Sequence, residues 1–340
     1  MRRLLGRLGA ALDRLDIGLL AFVAAMAMLG MAAALLVTRG GSKAPGSKTS
    51  TAPQHHVLVS PYQSRPFSRG QLMVSSSRAR GRSTPRDVAE LYQRLGYAWL
   101  SITDVNTVDP ADEYAVNGIV TMYGEEMQYK FGHFLVYGVD HDALADTPAD
   151  VSTWVHRAAG LLFLSRPLEE PTFDATAIGS MPGLDGIQLY DARLAREQPP
   201  LADASDLWDK LLTAGHHLTA IAGDDAISIV GPGATAGATS VDVQVTAVSP
   251  PLIADALKRG AFVDSTGVRV LGVQALGDTI TVVTTDADQI TFIGAGGRVL
   301  GRTSGARGDY KVKWDEQYVR AVASRRDGAK AWTMPVWLVP

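Results

Sequence analysis

Hydrophobic and polar positions follow three different patterns along this chain. Residues 17–37, IGLLAFVAAMAMLGMAAALLV, form an unbroken run without charge or proline. At about 1.5 Å per residue the run spans roughly 30 Å, the thickness of a bilayer's hydrocarbon core. It predicts a transmembrane anchor over residues 17–38, after a short basic segment, 1–16. A cleaved signal peptide fits less well, because its apolar region is about 7–15 residues long and ends at a small-residue site. Residues 39–56 are rich in Gly, Ser, Pro and Lys and nearly free of large apolar side chains, the composition of a flexible linker.

From Val57 to about residue 265, short apolar runs alternate with stretches of helical period. Leu72–Val74, Trp99–Ile102, Ile119–Met122, Phe134–Val139, Leu161–Leu164, Ile187–Tyr190 and Leu218–Ala222 read as strands. Thr84–Leu95 reads as a helix, with Thr84 as cap, Pro85 in the first turn and Gly96 after the last. Val151–Ala159 and Asp206–Ala214 read as further helices. Such alternation predicts an α/β fold with a largely parallel sheet, closed into a barrel. The third pattern begins near residue 266. Val268–Leu276, Thr279–Thr284, Gln289–Ile293, Tyr310–Trp314, Tyr318–Ser324 and Trp332–Val339 are short β-type runs separated by Gly and Asp turns. No helical period interrupts them, which predicts a β-sandwich extension over 266–340.

Composition narrows the function. Of the 340 residues 46% are hydrophobic and 20% charged, enough apolar material for a sizeable core. The net charge of −3 argues against a nucleic-acid partner. Cysteine is absent, which excludes disulfides and thiolate metal sites. Arg2, Arg3, Arg7 and Arg14 precede the apolar run, whereas Arg39, Lys43 and Lys48 follow it. This excess predicts a single-pass membrane protein whose C-terminal part lies on the non-cytoplasmic side.

Functional side chains of barrels sit at the C-terminal ends of the strands. Asp104, Arg166 and Asp225 each follow a predicted strand, so they share one rim. The remaining candidates have plainer readings. His55-His56 is a solvated pair at the linker's end, His216-His217 follows the helix stop Gly215, and His141 and His156 read as surface residues. Ser75-Ser76-Ser77 lacks a histidine partner for nucleophilic chemistry. Gly294-Ala295-Gly296-Gly297 lies between β-type runs and reads as a turn. Trp332 and Trp337 read as core of the extension.

Gly70 to Asn106, GQLMVSSSRARGRSTPRDVAELYQRLGYAWLSITDVN, resembles the opening of the polymerase-and-histidinol-phosphatase (PHP) superfamily with most of its metal-binding residues replaced. The tail, Tyr318-Val319-Arg320 and Ala331-Trp332-Thr333-Met334-Pro335, resembles the carbaryl hydrolase-like branch, so the likeness extends from Val57 to the end. It implies a distorted (β/α)7 barrel and two or three metal ions, commonly in the service of phosphoester hydrolysis. The family's ligand positions fall on Met73, Ser75, Arg80, Val105, Glu126, His133, Arg166, Asp225 and Ile227. Glu126, His133 and Asp225 keep a ligand, and the other six do not. Asp104 survives in Thr103-Asp104-Val105-Asn106.

A hydrolytic metal site needs several N or O donors around each ion and an open position for water. Met73, Val105 and Ile227 offer none, and the guanidinium groups of Arg80 and Arg166 repel a dication. Those arginines read first as replacements for the metal's charge, paired with carboxylates that would otherwise be buried alone. A guanidinium left free would instead bind an anion in bidentate fashion. The leading expectation is therefore a membrane-anchored binding or scaffold module for an anionic small molecule or a protein, without a cofactor. The alternative is an active phosphoesterase with one divalent ion, Zn, Mn or Fe, on Glu126, His133 and Asp225. Asp104 would then be the general base, and Arg80 or Arg166 the phosphate holder.

Overall fold

The computed structural model describes residues 57–142, 147–170 and 172–339. The predicted basic segment, membrane span and linker lie outside these residues, as does His55-His56. Among the described residues no helix is long and apolar enough to cross a membrane.

The chain folds as mixed α/β. In order it forms β1 (Val57–Val59), β2 (Phe67–Gln71), α1 (Pro85–Arg94), β3 (Trp99–Ser101), β4 (Val120–Met122), β5 (Gly124–Tyr129), β6 (Gly132–Tyr137), α2 (Pro148–Arg157) and β7 (Leu161–Ser165). Then come α3 (Ala175–Gly179), β8 (Gly186–Asp191), α4 (Leu194–Glu197), α5 (Ser205–Thr213), β9 (Thr219–Gly223), β10 (Ser240–Gln244), α6 (Pro250–Arg259) and β11 (Phe262–Ser265). Helix α1 starts as its sequence demands: the Thr84 hydroxyl accepts from the Asp87 amide at 3.2 Å, and Pro85 fills the first turn. Gly96, at φ 82°, lets the chain leave it.

β2 runs parallel to β3, and β7, β8 and β9 run parallel to one another. β6 is antiparallel to both β5 and β7. Parallel bridges Val105–Glu126 and Val74–Ala226 tie the two groups together. The strands β2, β3, β5, β6, β7, β8 and β9 thus follow one closed circuit with a single reversed member, β6. Trp99, Phe134, Phe163, Trp208 and Phe262 are fully buried and belong to one hydrophobic cluster.

The first strand differs from expectation. Leu72–Val74 reads as a strand, but β2 ends at Gln71 and Val74 makes only an isolated bridge. The Gln71 side chain is the reason: its Oε1 accepts from the amides of Leu72 and Met73 at 2.8 and 3.0 Å, satisfying donors that a neighbouring strand would otherwise take.

The C-terminal part continues with β12 (Val270–Leu276), β13 (Thr279–Thr284), β14 (Gln289–Gly294), β15 (Arg298–Ser304), β16 (Arg307–Lys311), β17 (Tyr318–Ser324), β18 (Lys330–Thr333) and β19 (Val336–Val339). β12, β13 and β16 form a three-stranded sheet. β18 pairs with both β17 and β11, so the remaining strands prolong the sheet that holds β10 and β2. Ile280 and Val282 from one sheet, and Ile290 and Phe292 from the other, belong to the same buried cluster. Trp332 is buried in that cluster; Trp337 packs at its margin, stacked on His217 with ring centroids 3.8 Å apart.

A buried ion pair crosses from α5 to β17. Arg320 donates from Nε and Nη2 to the two carboxylate oxygens of Asp209 at 2.8 and 2.6 Å, and the Tyr318 hydroxyl donates to the same group at 2.9 Å. The guanidinium carbon lies 5.0 Å from the Trp208 ring centroid. Tyr318 and Arg320 of the Tyr-Val-Arg run thus both serve Asp209.

Candidate functional site

Six side chains meet beside β5 and β6 and past the ends of β7, β8 and β9. Arg166 follows β7 directly, and Asp225 follows β9 by two residues. Both hold left-handed backbone, φ 45° and 43°, which is unfavourable for residues with a Cβ. Such conformations persist where surrounding bonds over-determine them and concentrate at functional sites. Here Gln188 of β8 supplies one such bond: its Oε1 accepts the Arg166 amide at 2.8 Å and the Ser165 hydroxyl at 3.0 Å.

The Arg166 guanidinium bridges two carboxylates. Its Nη2 lies 3.0 Å from Asp225 Oδ2 and 3.5 Å from Glu126 Oε1. Arg193, three residues past Tyr190, brings a second guanidinium to Asp225, with Nε at 2.8 Å and Nη2 at 2.7 Å from Oδ2. Arg80 closes the other side, donating from Nη2 to Glu126 Oε2. His133 completes the cluster, with Nδ1 3.5 Å from Glu126 Oε1. Both carboxylates and Arg166 are buried, while Arg80 keeps 31% of its side chain exposed. Arg80 is thus the guanidinium most open to solvent.

Electrostatics follow this geometry. Burial pushes Glu126 upward, but His133, Arg166 and Arg80 outweigh it and hold the carboxyl below its usual range. Asp225 is likewise held low, because Arg166, Arg193 and Arg80 overcome burial. Asp191 goes the other way: burial and the neighbouring Asp225 charge push it up to about 7.

Asp104 lies apart from this cluster. Its carboxylate accepts the Ser76 amide at 2.7 Å and also the Ser76 hydroxyl. Only its backbone touches the cluster's strand, accepting the Glu126 amide at 3.1 Å. Burial and the Asp104 carboxyl beside it push Asp109 up to about 8, with Arg78 Nε 3.2 Å away.

The turn that presents Arg80 depends on Gly81, whose amide donates to the Ser76 carbonyl at 2.8 Å. A Cβ on Gly81 would stand 2.3 Å from the Ser75 carbonyl oxygen, and backbone cannot yield as a side chain can. Gly81→Ala is expected to destabilise the protein by about 1–3 kcal/mol in urea denaturation. Wild-type stability in that variant would contradict the observed packing.

The structure therefore brings together Arg80, Arg166, Glu126, His133 and Asp225 and leaves Asp104 outside. Sequence reasoning missed Arg193; a charged residue just past a predicted strand was the available signal. Among the other histidines, His156 departs from the surface reading. Its Nε2 lies 3.1 Å from Asp185 Oδ2 and its Nδ1 2.9 Å from the Ser152 carbonyl.

The residues do not fit a metal ion. Among the described residues no group of three or more His, Asp or Glu is arranged to hold one. Both oxygens of Glu126 face guanidinium nitrogens, and Asp225 Oδ2 is contacted by two arginines. A dication seated there would lie against fixed positive charge.

No family model matches the chain, and no curated protein matches it. Solved structures do. A two-domain protein from Bacteroides vulgatus containing a predicted PHP-like metal-dependent phosphoesterase is 13% identical, at a TM-score of 0.49 over 82% of this chain and 96% of that one. A protein from Bifidobacterium adolescentis described as a metal-dependent phosphoesterase is 15% identical, with a TM-score of 0.40 over 57% and 98%. An amidohydrolase from Chromobacterium violaceum, with bound sulfate and no metal, is 14% identical, with a TM-score of 0.38 over 47% and 87%.

Proposed function

We propose that this chain is a degenerate PHP-type protein in which an arginine–carboxylate network has replaced the metal centre. It acts as a binding or scaffold module rather than as a hydrolase. The observation that carries this reading is the position of Arg166, buried between Glu126 and Asp225 at 3.5 and 3.0 Å. The positive charge that would make water nucleophilic is there a guanidinium, which has no open coordination position and cannot lower the pKa of a bound water as a metal does. The motif correspondence from Gly70 to Asn106 and the closed seven-strand circuit support the family reading. The uncharged run at residues 17–37 supports a single-pass anchor with the barrel, 57–265, and the sandwich, 266–340, on the non-cytoplasmic side.

The network also suggests what is bound. Arg80 has one nitrogen on Glu126 and remains partly exposed, so its exposed donors can meet an anion arriving from solvent. Asp104, tied to Ser76, serves to hold the turn.

Metal analysis of the purified protein, with p-nitrophenyl phosphate turnover in Zn, Mn and Fe, tests the reading. Sub-stoichiometric metal and no turnover are expected. Stoichiometric metal with turnover that His133→Ala abolishes would establish the reduced mononuclear phosphoesterase instead.

A further inference from the structure

A second cleft, of about 600 Å³, opens between β10 and the start of β12, away from the arginine network. Its volume lies in the range of small-molecule sites, roughly 300–1,000 Å³. Its floor is unusual. β10 reads Ser-Val-Asp-Val-Gln, and Val241 and Val243 turn into the core while Ser240, Asp242 and Gln244 occupy the opposite face. Ser240 and Asp242 line the cleft and are nonetheless buried, at 4% and 9% exposure, whereas Gln244 lies outside it, its Oε1 accepting the Gln63 amide at 2.9 Å. A sheet face covered only by another sheet would be apolar at these positions.

Asp242 is the centre of this floor. Its Oδ1 is buried and has no hydrogen-bond partner, a costly state that a ligand donor would relieve. Ser240 and Ser265, cross-strand partners, flank it in the cleft lining. Positive charge stands on the walls. Arg69, the cross-strand neighbour of Asp242, donates to the Tyr97 hydroxyl at 3.1 Å and stacks on that ring at 4.2 Å. Arg269 stands at the mouth, and its guanidinium makes no hydrogen bond or ion pair among the described residues. Leu95 and Leu271, at 41% and 49% exposure, supply apolar surface at the rim. Burial pushes the Asp242 carboxyl up to about 6, with Ser240, Arg69 and Arg269 pulling it back toward the charged form.

We infer that this cleft binds a small zwitterion with an apolar substituent, its ammonium group on Asp242, its anionic group on Arg269, and its apolar part against Leu95 and Leu271. A free amino acid or short peptide with an aliphatic side chain has this chemistry. The inference does not depend on the state of the arginine network.

Calorimetric titration of the full-length protein with L-leucine and leucyl-leucine tests it, with N-acetyl-leucine and leucinamide as single-charge comparators. At least one zwitterion is expected to bind, and each comparator to bind at least about tenfold more weakly, the value of one charge-assisted hydrogen bond. Asp242→Asn and Arg269→Gln are each expected to weaken binding by a similar factor. Arg269 is exposed, so its variant tests the site without burdening the fold. The inference is overturned if neither zwitterion binds at ~10 mM, well above a millimolar dissociation constant. Equal binding of N-acetyl-leucine, or full affinity in the Arg269→Gln variant, would overturn it as well.

Discussion

Arg166→Met is expected to lower the unfolding free energy by about 3 kcal/mol, the lower end of the 3–5 kcal/mol lost when one partner leaves a buried ion pair. The side chains of Arg166, Glu126 and Asp225 are 6%, 3% and 4% exposed, so water cannot replace the lost guanidinium. Arg193 still reaches Asp225 and Arg80 still reaches Glu126, which keeps the loss from being larger. Adding Glu126→Gln to Arg166→Met should recover part of it, because one uncompensated carboxylate is removed. Arg80→Met, at a partly exposed position, should lose no more than about 1 kcal/mol. Urea denaturation of the wild type, these three variants and Glu126→Gln alone completes the cycle. If Arg166→Met lost no more than Arg80→Met, the central bridge would not be what neutralises these carboxylates.

The second large effect is expected at Arg320. Its replacement by methionine leaves Asp209 buried beneath β17 with only the Tyr318 hydroxyl as a side-chain donor, at 2.9 Å. The expected loss is about 3–5 kcal/mol, larger than at Arg166 because among the described residues no second arginine contacts Asp209. The double variant Arg320→Met with Asp209→Leu should be more stable than Arg320→Met alone, since no charge then remains unpaired in the core. A double variant less stable than either single one would show that packing of the guanidinium on Trp208, rather than charge, holds this junction.

The two networks show how far sequence could be read. Arg80, Arg166, Glu126, His133 and Asp225 were legible as one group only through the family resemblance, which matched each to a ligand position. Arg193 was not, since it belongs to no motif and reaches Asp225 only because β8 and β9 lie side by side. Helix α1 was legible because Thr84, Pro85 and Gly96 are local signals. Helix α6 was missed although Pro250 and Gly260 bracket it in the same way. Strands β5, β10 and β11 were missed because Glu125, Glu126, Asp242 and Asp264 break the apolar pattern while being buried. A buried carboxylate looks like a solvated one until its partners are known.

By itself the sequence determined helix α1 and the most apolar strands, the uncharged run near the N-terminus, and the side-chain types that stand at 80, 126, 133, 166 and 225. These are local properties, fixed by backbone preference, hydrophobic period and side-chain chemistry. Only the tertiary structure decided that Arg166 lies between Glu126 and Asp225, that Asp104 serves Ser76, and that Ser240 and Asp242 of β10 line a cleft beside β12. Charges far apart in the chain act on one another only after strand pairing brings them within a few ångströms and burial removes the water that would screen them.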